Sequence, residues 1–173
     1  MGLDITAYRN LTPATEEVEM EDGYPVDYQT FWKPGPSMKW SESVFPGRGK
    51  GVSHSTIYTF SNTFGFRAGS YGGYNHWRDL LSQLAGYGSA EEAWSKEDQS
   101  GPFMELIHFA GNEGVIGPVI SAKLAKDFAD FESRAKVFSA TLDQYDAQNF
   151  ITRYYDWKKA FEMASDGGAV CFH

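Results

Sequence analysis

The apolar residues change period partway along the chain, and that change limits the fold more than any single motif does. Leu3, Ile5 and Ala7 alternate with Asp4, Thr6 and Tyr8, the two-residue period of a half-buried strand. From residue 74 onward the spacing is helical. Tyr74, Trp77, Leu80, Leu81 and Leu84 share one face, Ile120, Leu124, Phe128, Phe131, Ala135 and Phe138 another, and Phe150, Tyr154, Trp157, Phe161 and Ala164 a third. Strands first and helices later predict an α+β fold. Helices over 74–85, 118–138 and 145–165 are expected on one face of a mostly antiparallel sheet. That sheet comes from the first half of the chain, and AVCF (169–172) returns to it as a terminal strand.

Shorter signals fill in the rest. Asp22 and Gly23 mark a turn after an acidic, exposed excursion over 12–22. VDYQTFW (26–32) reads as a second strand, and SESVF and VSHSTIYTF flank the loop 46–51 as a hairpin. Ser89 with Glu92 forms a capping box for a short helix through about residue 99. Pro102 at a first helical position and Gly111 at a stop bracket another.

The length, 173 residues, suits one domain spanning 1–173, and 42% hydrophobic with 16% aromatic residues is enough for a packed core. One cysteine excludes an intrachain disulfide and a Cys-rich zinc site, and suits a reducing compartment. No apolar run approaches the ~18 residues of a membrane span. The opening MGLDITAYRN, acidic at Asp4, lacks the apolar stretch of a signal peptide. These features predict a cytoplasmic protein without membrane association, and no cofactor or metal motif is complete.

The net charge of −8 is unevenly spread. Residues 1–30 carry −6, residues 31–90 carry +4 and residues 91–173 carry −6. Duplex DNA is a poor partner for such a chain, because its affinity comes mostly from phosphate neutralisation. The basic third also holds 10 of the 18 glycines and 12 of the 28 aromatics, a composition able to hold a small anion or stacked bases.

Within it, GFRAGSYGGYNHWRDLL (65–81) reads as strand, glycine-rich turn and helix. Backbone N–H groups of Gly69, Ser70, Gly72 and Gly73 at a helix N-terminus favour an anion, with Arg67 and Arg78 flanking it and Tyr71, Tyr74 and Trp77 able to stack. On that reading Arg78→Ala weakens binding and leaves melting nearly unchanged. The spacing is neither a P-loop nor a dinucleotide-binding turn, and the same residues also suit a tight turn with core aromatics and solvated arginines. Arg48 and Lys50, in the loop 46–51, either join the anion site or keep a mobile hairpin tip soluble. Glu105 and His108 share a helix face and Glu113 follows, a weak hydrolase or transferase constellation. Cys171 and His173 lie on one side of the terminal strand, where a buried cysteine is the simpler reading than a nucleophile.

Four stretches, MGLDITAY, SYGGYNHWRDLLSQLAGY, ELIHFAGNEGVIGPVISAKLAKDFADF and DGGAVCFH, resemble a group of small proteins carried by bacteriophages and prophages. The group has no assigned activity, so the resemblance transfers no catalytic residue. It implies a bacterial cytosolic setting and a role between phage and host. Together these features lead to the expectation of a non-catalytic protein that binds a small anionic, nucleotide-like ligand or a host protein. The alternative is an enzyme using Glu105, His108 and Glu113.

Overall fold

The computed structural model describes residues 2–111 and 114–173. Strand β1 (Gly2–Arg9) is followed by β2 (Thr12–Pro13), β3 (Met20–Glu21), β4 (Tyr24–Pro25), β5 (Phe31–Trp32), helix α1 (Ser37–Val44), β6 (Tyr58–Thr59) and β7 (Asn62–Ser70). Then come α2 (Tyr71–Leu84), α3 (Ala90–Trp94), α4 (Met104–Ile107), β8 (Gly114–Ile116), α5 (Pro118–Ser139), α6 (Gln144–Ala164) and β9 (Ala169–Phe172). The architecture is α+β.

The main sheet runs β7-β1-β9-β8 with every neighbouring pair antiparallel. Its terminal strand β9 inserts beside β1, as the apolar AVCF run predicts. Register divides the sheet into two faces. Ile5 pairs with Phe66 and Phe172, while Thr6 pairs with Gly65 and Cys171. Leu3, Ile5, Ala7, Val170 and Phe172 therefore point into the core, which they share with α2, α5 and α6. Trp157 lies at its centre, stacked on Trp77 at 5.8 Å and 24° and on Phe161 at 5.6 Å and 16°. Each such ring buried is worth at least the roughly 1.5–3 kcal/mol of a large apolar side chain.

The other face carries Thr6 and Tyr8 from β1, Val115 from β8, and Ala169 and Cys171 from β9. Part of it is covered by a second, smaller core of Trp32, Met38, Tyr58, Val115 and Ala169, joined by Tyr8, Val52 and Phe60. Residues from the long excursion between β1 and β7 supply this cover, a β2-β6-β5 sheet and a β3-β4 hairpin among them. Asp22 and Gly23, at φ 50° and 87°, close that hairpin, the left-handed pair that a two-residue hairpin turn needs.

Four local expectations are corrected. Residues 41–44 are not a hairpin strand but the end of α1, which Pro36 starts with φ −62°. The loop 46–51 accordingly is no hairpin tip: Glu42 on α1 accepts the N–H groups of Gly47 and Gly49 at 2.5 and 2.7 Å and folds it back. The strand expected over 26–32 shrinks to two residues. Helix α4 starts at Met104 rather than Pro102, because Phe103 sits left-handed at φ 62° with its N–H held by Asp127 at 2.9 Å.

Candidate functional site

The strand-turn-helix at 65–81 forms as expected, and its side chains then diverge. Ser70 caps α2 with its own hydroxyl, which accepts the Gly73 N–H at 3.0 Å. Arg67 is on the sheet's second face, paired with Asp4 at 3.5 Å. Tyr74 and Trp77 are buried in the core, and Tyr71 stays partly exposed. Arg78 lies two turns along α2 and points inward rather than beside the turn. The flanking arrangement of Arg67 and Arg78 around Gly69, Ser70, Gly72 and Gly73 is thus not what the fold builds. The reason is helical geometry: residue 78 follows Tyr74 on the buried face of the helix.

What the fold does bring together is Arg78 and Arg48. Both are buried, at 6% and 2% exposure. Arg78 donates to the Ile107 carbonyl, and to Asn75 Oδ1 at 2.8 Å. Arg48 reaches Ser41 Oγ at 3.4 Å and the His108 carbonyl at 3.5 Å, both longer than a good bond. The Tyr74 hydroxyl donates to the Phe109 carbonyl at 2.8 Å. The carbonyl end of the four-residue α4 and the two residues after it thus receive two guanidinium groups and a phenol from two separate parts of the chain, α2 and the loop after α1.

Rings supply part of the compensation that carboxylates normally give. The Arg48 guanidinium stands 4.5 Å from the Phe109 ring centre and 5.1 Å from that of Phe45, and Arg78 is 5.4 Å from Tyr74. Among the described residues neither arginine makes an ion pair, and the Nε of each has no hydrogen-bond partner. Burial lowers the Arg48 pKa to about 10, an effect that Tyr74, Glu42 and Glu105 partly oppose and that repulsion from Arg78 adds to. His108 is stacked on Trp94 at 5.1 Å and 7° and meets Phe45 edge-on at 5.4 Å. Burial first, then Arg48 and Arg78, hold its pKa down at about 4. Trp94 is about half exposed, so this stack joins the cluster to solvent. Lys50, two residues from Arg48, stays at the surface.

The hydrolytic constellation is not assembled among the described residues. Glu105 turns to α5, where its carboxylate accepts from Lys123 at 2.7 Å, and Lys123 also meets Asp127 at 3.0 Å. His108 faces the aromatic rings instead. Glu113 lies outside the described residues.

A second feature sits on the sheet's other face, a cleft of about 670 Å³. Thr6, Tyr8, Thr63 and Cys171 contribute to its sheet side and Tyr24, Tyr28, Gln29 and Trp32 come from the excursion. Tyr8 stacks on Trp32 at 4.8 Å and 28°, and Thr6 Oγ1 is 2.9 Å from His173 Nε2. Burial, with Cys171 nearby, raises the Tyr8 pKa, so its phenol stays protonated.

No family model matches the chain, and neither a curated protein nor a solved structure is significantly similar to it. The site is accordingly read from its own chemistry. The sequence allows Arg48 and Arg78 to share one anion site but sets His108 apart from them, with Glu105 and Glu113. Sequence reasoning missed the cleft, although the alternation of β1 already puts Thr6 and Tyr8 on the face away from the core. The walls at Tyr24, Tyr28 and Trp32 carry no periodic signal, being in loops and two-residue strands.

Proposed function

We propose that the protein is a non-catalytic binding protein for a small phosphate- or carboxylate-bearing ligand, held by Arg48 and Arg78 beside His108. One observation carries the reading: two guanidinium groups more than nine-tenths buried, close enough to repel, each with an unpaired Nε and no ion pair among the described residues, Glu42 and Glu105 acting on Arg48 only from a distance. Burying a charge without a counter-charge costs several kcal/mol, and carbonyl and ring contacts offset only part of that. An oxyanion supplies the missing charge and accepts bidentate bonds from a guanidinium fork. His108, kept neutral by burial and by the two cations, adds a hydrogen bond to the ligand and no competing charge. The bacterial cytosol implied by the resemblance to phage-borne proteins is part of the same proposal.

Thermal melting with inorganic phosphate, pyrophosphate and citrate tests it. A ligand at 100 times its Kd adds about 2.7 kcal/mol of stability. At least one of these anions raises the melting temperature saturably, and Arg48→Met, which keeps volume and removes charge, abolishes the rise. An absent rise in the unmodified protein, or one that survives Arg48→Met and Arg78→Met, overturns the reading.

A further inference from the structure

We propose that the cleft on the second face of the main sheet is a separate binding site for a flat, uncharged heterocycle of nucleoside size. Its volume of about 670 Å³ falls within the range of small-ligand pockets. Among the described lining residues there is no Asp, Glu, Lys or Arg, so a charged group entering it would meet no counter-charge beyond the His173 imidazole. The part of a ligand that it holds is therefore neutral.

The walls then choose between kinds of neutral ligand. Six of the lining side chains are aromatic, and Tyr28 is 76% exposed while Tyr24 is 48% exposed. Rings left this open keep apolar faces in water that a stacked partner would cover. A sugar ring presents hydroxyls around its whole edge, and pairing all of them needs polar groups on every side, where most of this cleft's walls are ring faces. A heterocyclic base needs polar partners along one edge only, and its faces stack on rings whatever its identity. Gln29, Thr6 and His173 offer that edge both donors and acceptors, and the Thr6–His173 contact fixes two of the three before any ligand arrives. Tyr8 and Trp32, already stacked on each other, make a rigid inner wall.

The test titrates adenosine and uridine into the full-length chain and follows heat of binding and backbone amide shifts. The expected result is saturable binding of at least one nucleoside, with shifts at Tyr8, Trp32 and Cys171. Tyr28→Ala, a change at an exposed ring that the fold does not depend on, weakens that binding by at least about fivefold, the low end of one lost base–ring stack. Nucleoside binding persists in Arg48→Met and anion binding persists in Tyr28→Ala, so the two sites fail separately. No nucleoside binding at millimolar concentration, unchanged affinity in Tyr28→Ala, or tighter binding of glucose or maltose than of either nucleoside overturns the proposal.

Discussion

Arg78 and His108 are where single side chains decide most. Arg78 satisfies the Ile107 carbonyl and Asn75 from within the core. Arg78→Ala therefore lowers unfolding free energy by about 1–3 kcal/mol, through a buried carbonyl left with only the long Trp94 Nε1 contact at 3.5 Å. An exposed arginine would change it by less than about 0.5 kcal/mol. Urea denaturation separates the two outcomes, and a loss is the opposite of the expectation that this change leaves melting nearly unchanged. His108 makes stability depend on pH. Its folded pKa of about 4 is below the ordinary value of about 6.5. Above ~6.5 neither state binds the proton and the shift has no effect. As pH falls from ~6.5 to ~4 the unfolded chain takes up a proton that the fold refuses, so stability falls, and below ~4 the loss levels off. With partial exposure screening the effect, the loss is roughly 1–2 kcal/mol. Phosphate bound at Arg48 and Arg78 cancels the repulsive causes and raises the His108 pKa, a shift measurable by proton NMR of the imidazole. A pKa of His108 indifferent to phosphate would separate the histidine from the anion site.

Between elements, the junctions are tighter than the helices themselves. Gly168 joins α6 to β9, its N–H donating to the Ala164 carbonyl at 2.9 Å. A Cβ there would meet the Tyr8 carbonyl oxygen at 1.8 Å and the Ala164 Cα at 3.1 Å, both backbone atoms that cannot swing aside. Gly168→Ala thus destabilises by the upper end of the about 1–3 kcal/mol of overpacking, or by more. Gly72, in the first turn of α2, has nothing within 4 Å of its missing Cβ. Gly72→Ala stabilises instead, by about 0.4–1 kcal/mol, because the unfolded chain loses freedom. Chemical denaturation of both variants should give opposite signs; equal signs would mean that the α6–β9 junction is looser than its geometry. Helix α4 depends on its surroundings in another way. Four residues are too few to hold a helix alone, and Arg48, Arg78 and Tyr74 pin the carbonyls at its end and just beyond it.

Across the whole molecule, stability is divided between two cores of unequal size. The core between sheet and helices holds Trp77, Trp157 and most of the buried phenylalanines, whereas five residues form the second. Fewer buried contacts mean opening at lower free energy. Amides within 12–60 are expected to exchange by local opening, well ahead of those in β1, α5 and α6. Trp32→Ala speeds exchange in that segment alone and loosens the cleft wall. Exchange accelerating equally throughout the chain would mean a single cooperative unit.

The sequence by itself determined the elements whose apolar residues repeat. Strand β1 and helices α2, α5 and α6 follow from alternation or helical spacing, the terminal strand β9 follows from its apolar run, and the Ser89–Glu92 capping box forms as its spacing requires. Period is enough there because a face that must be buried fixes both the element and its orientation. Short stretches carry no such redundancy: five residues, SESVF, fit a strand pattern and fold into the end of a helix and its cap, because Pro36 and the pull of Glu42 on the next loop outweigh a weak alternation. Tertiary structure alone decided the sites. Arg48, Arg78 and His108 are far apart in sequence and meet only because α2, the loop after α1 and the end of α4 pack together. Tyr8, Trp32 and His173 likewise meet only once β9 inserts beside β1. Spacing along a chain records which face of an element is buried; which buried charges then lie within reach of each other is fixed by how the elements pack.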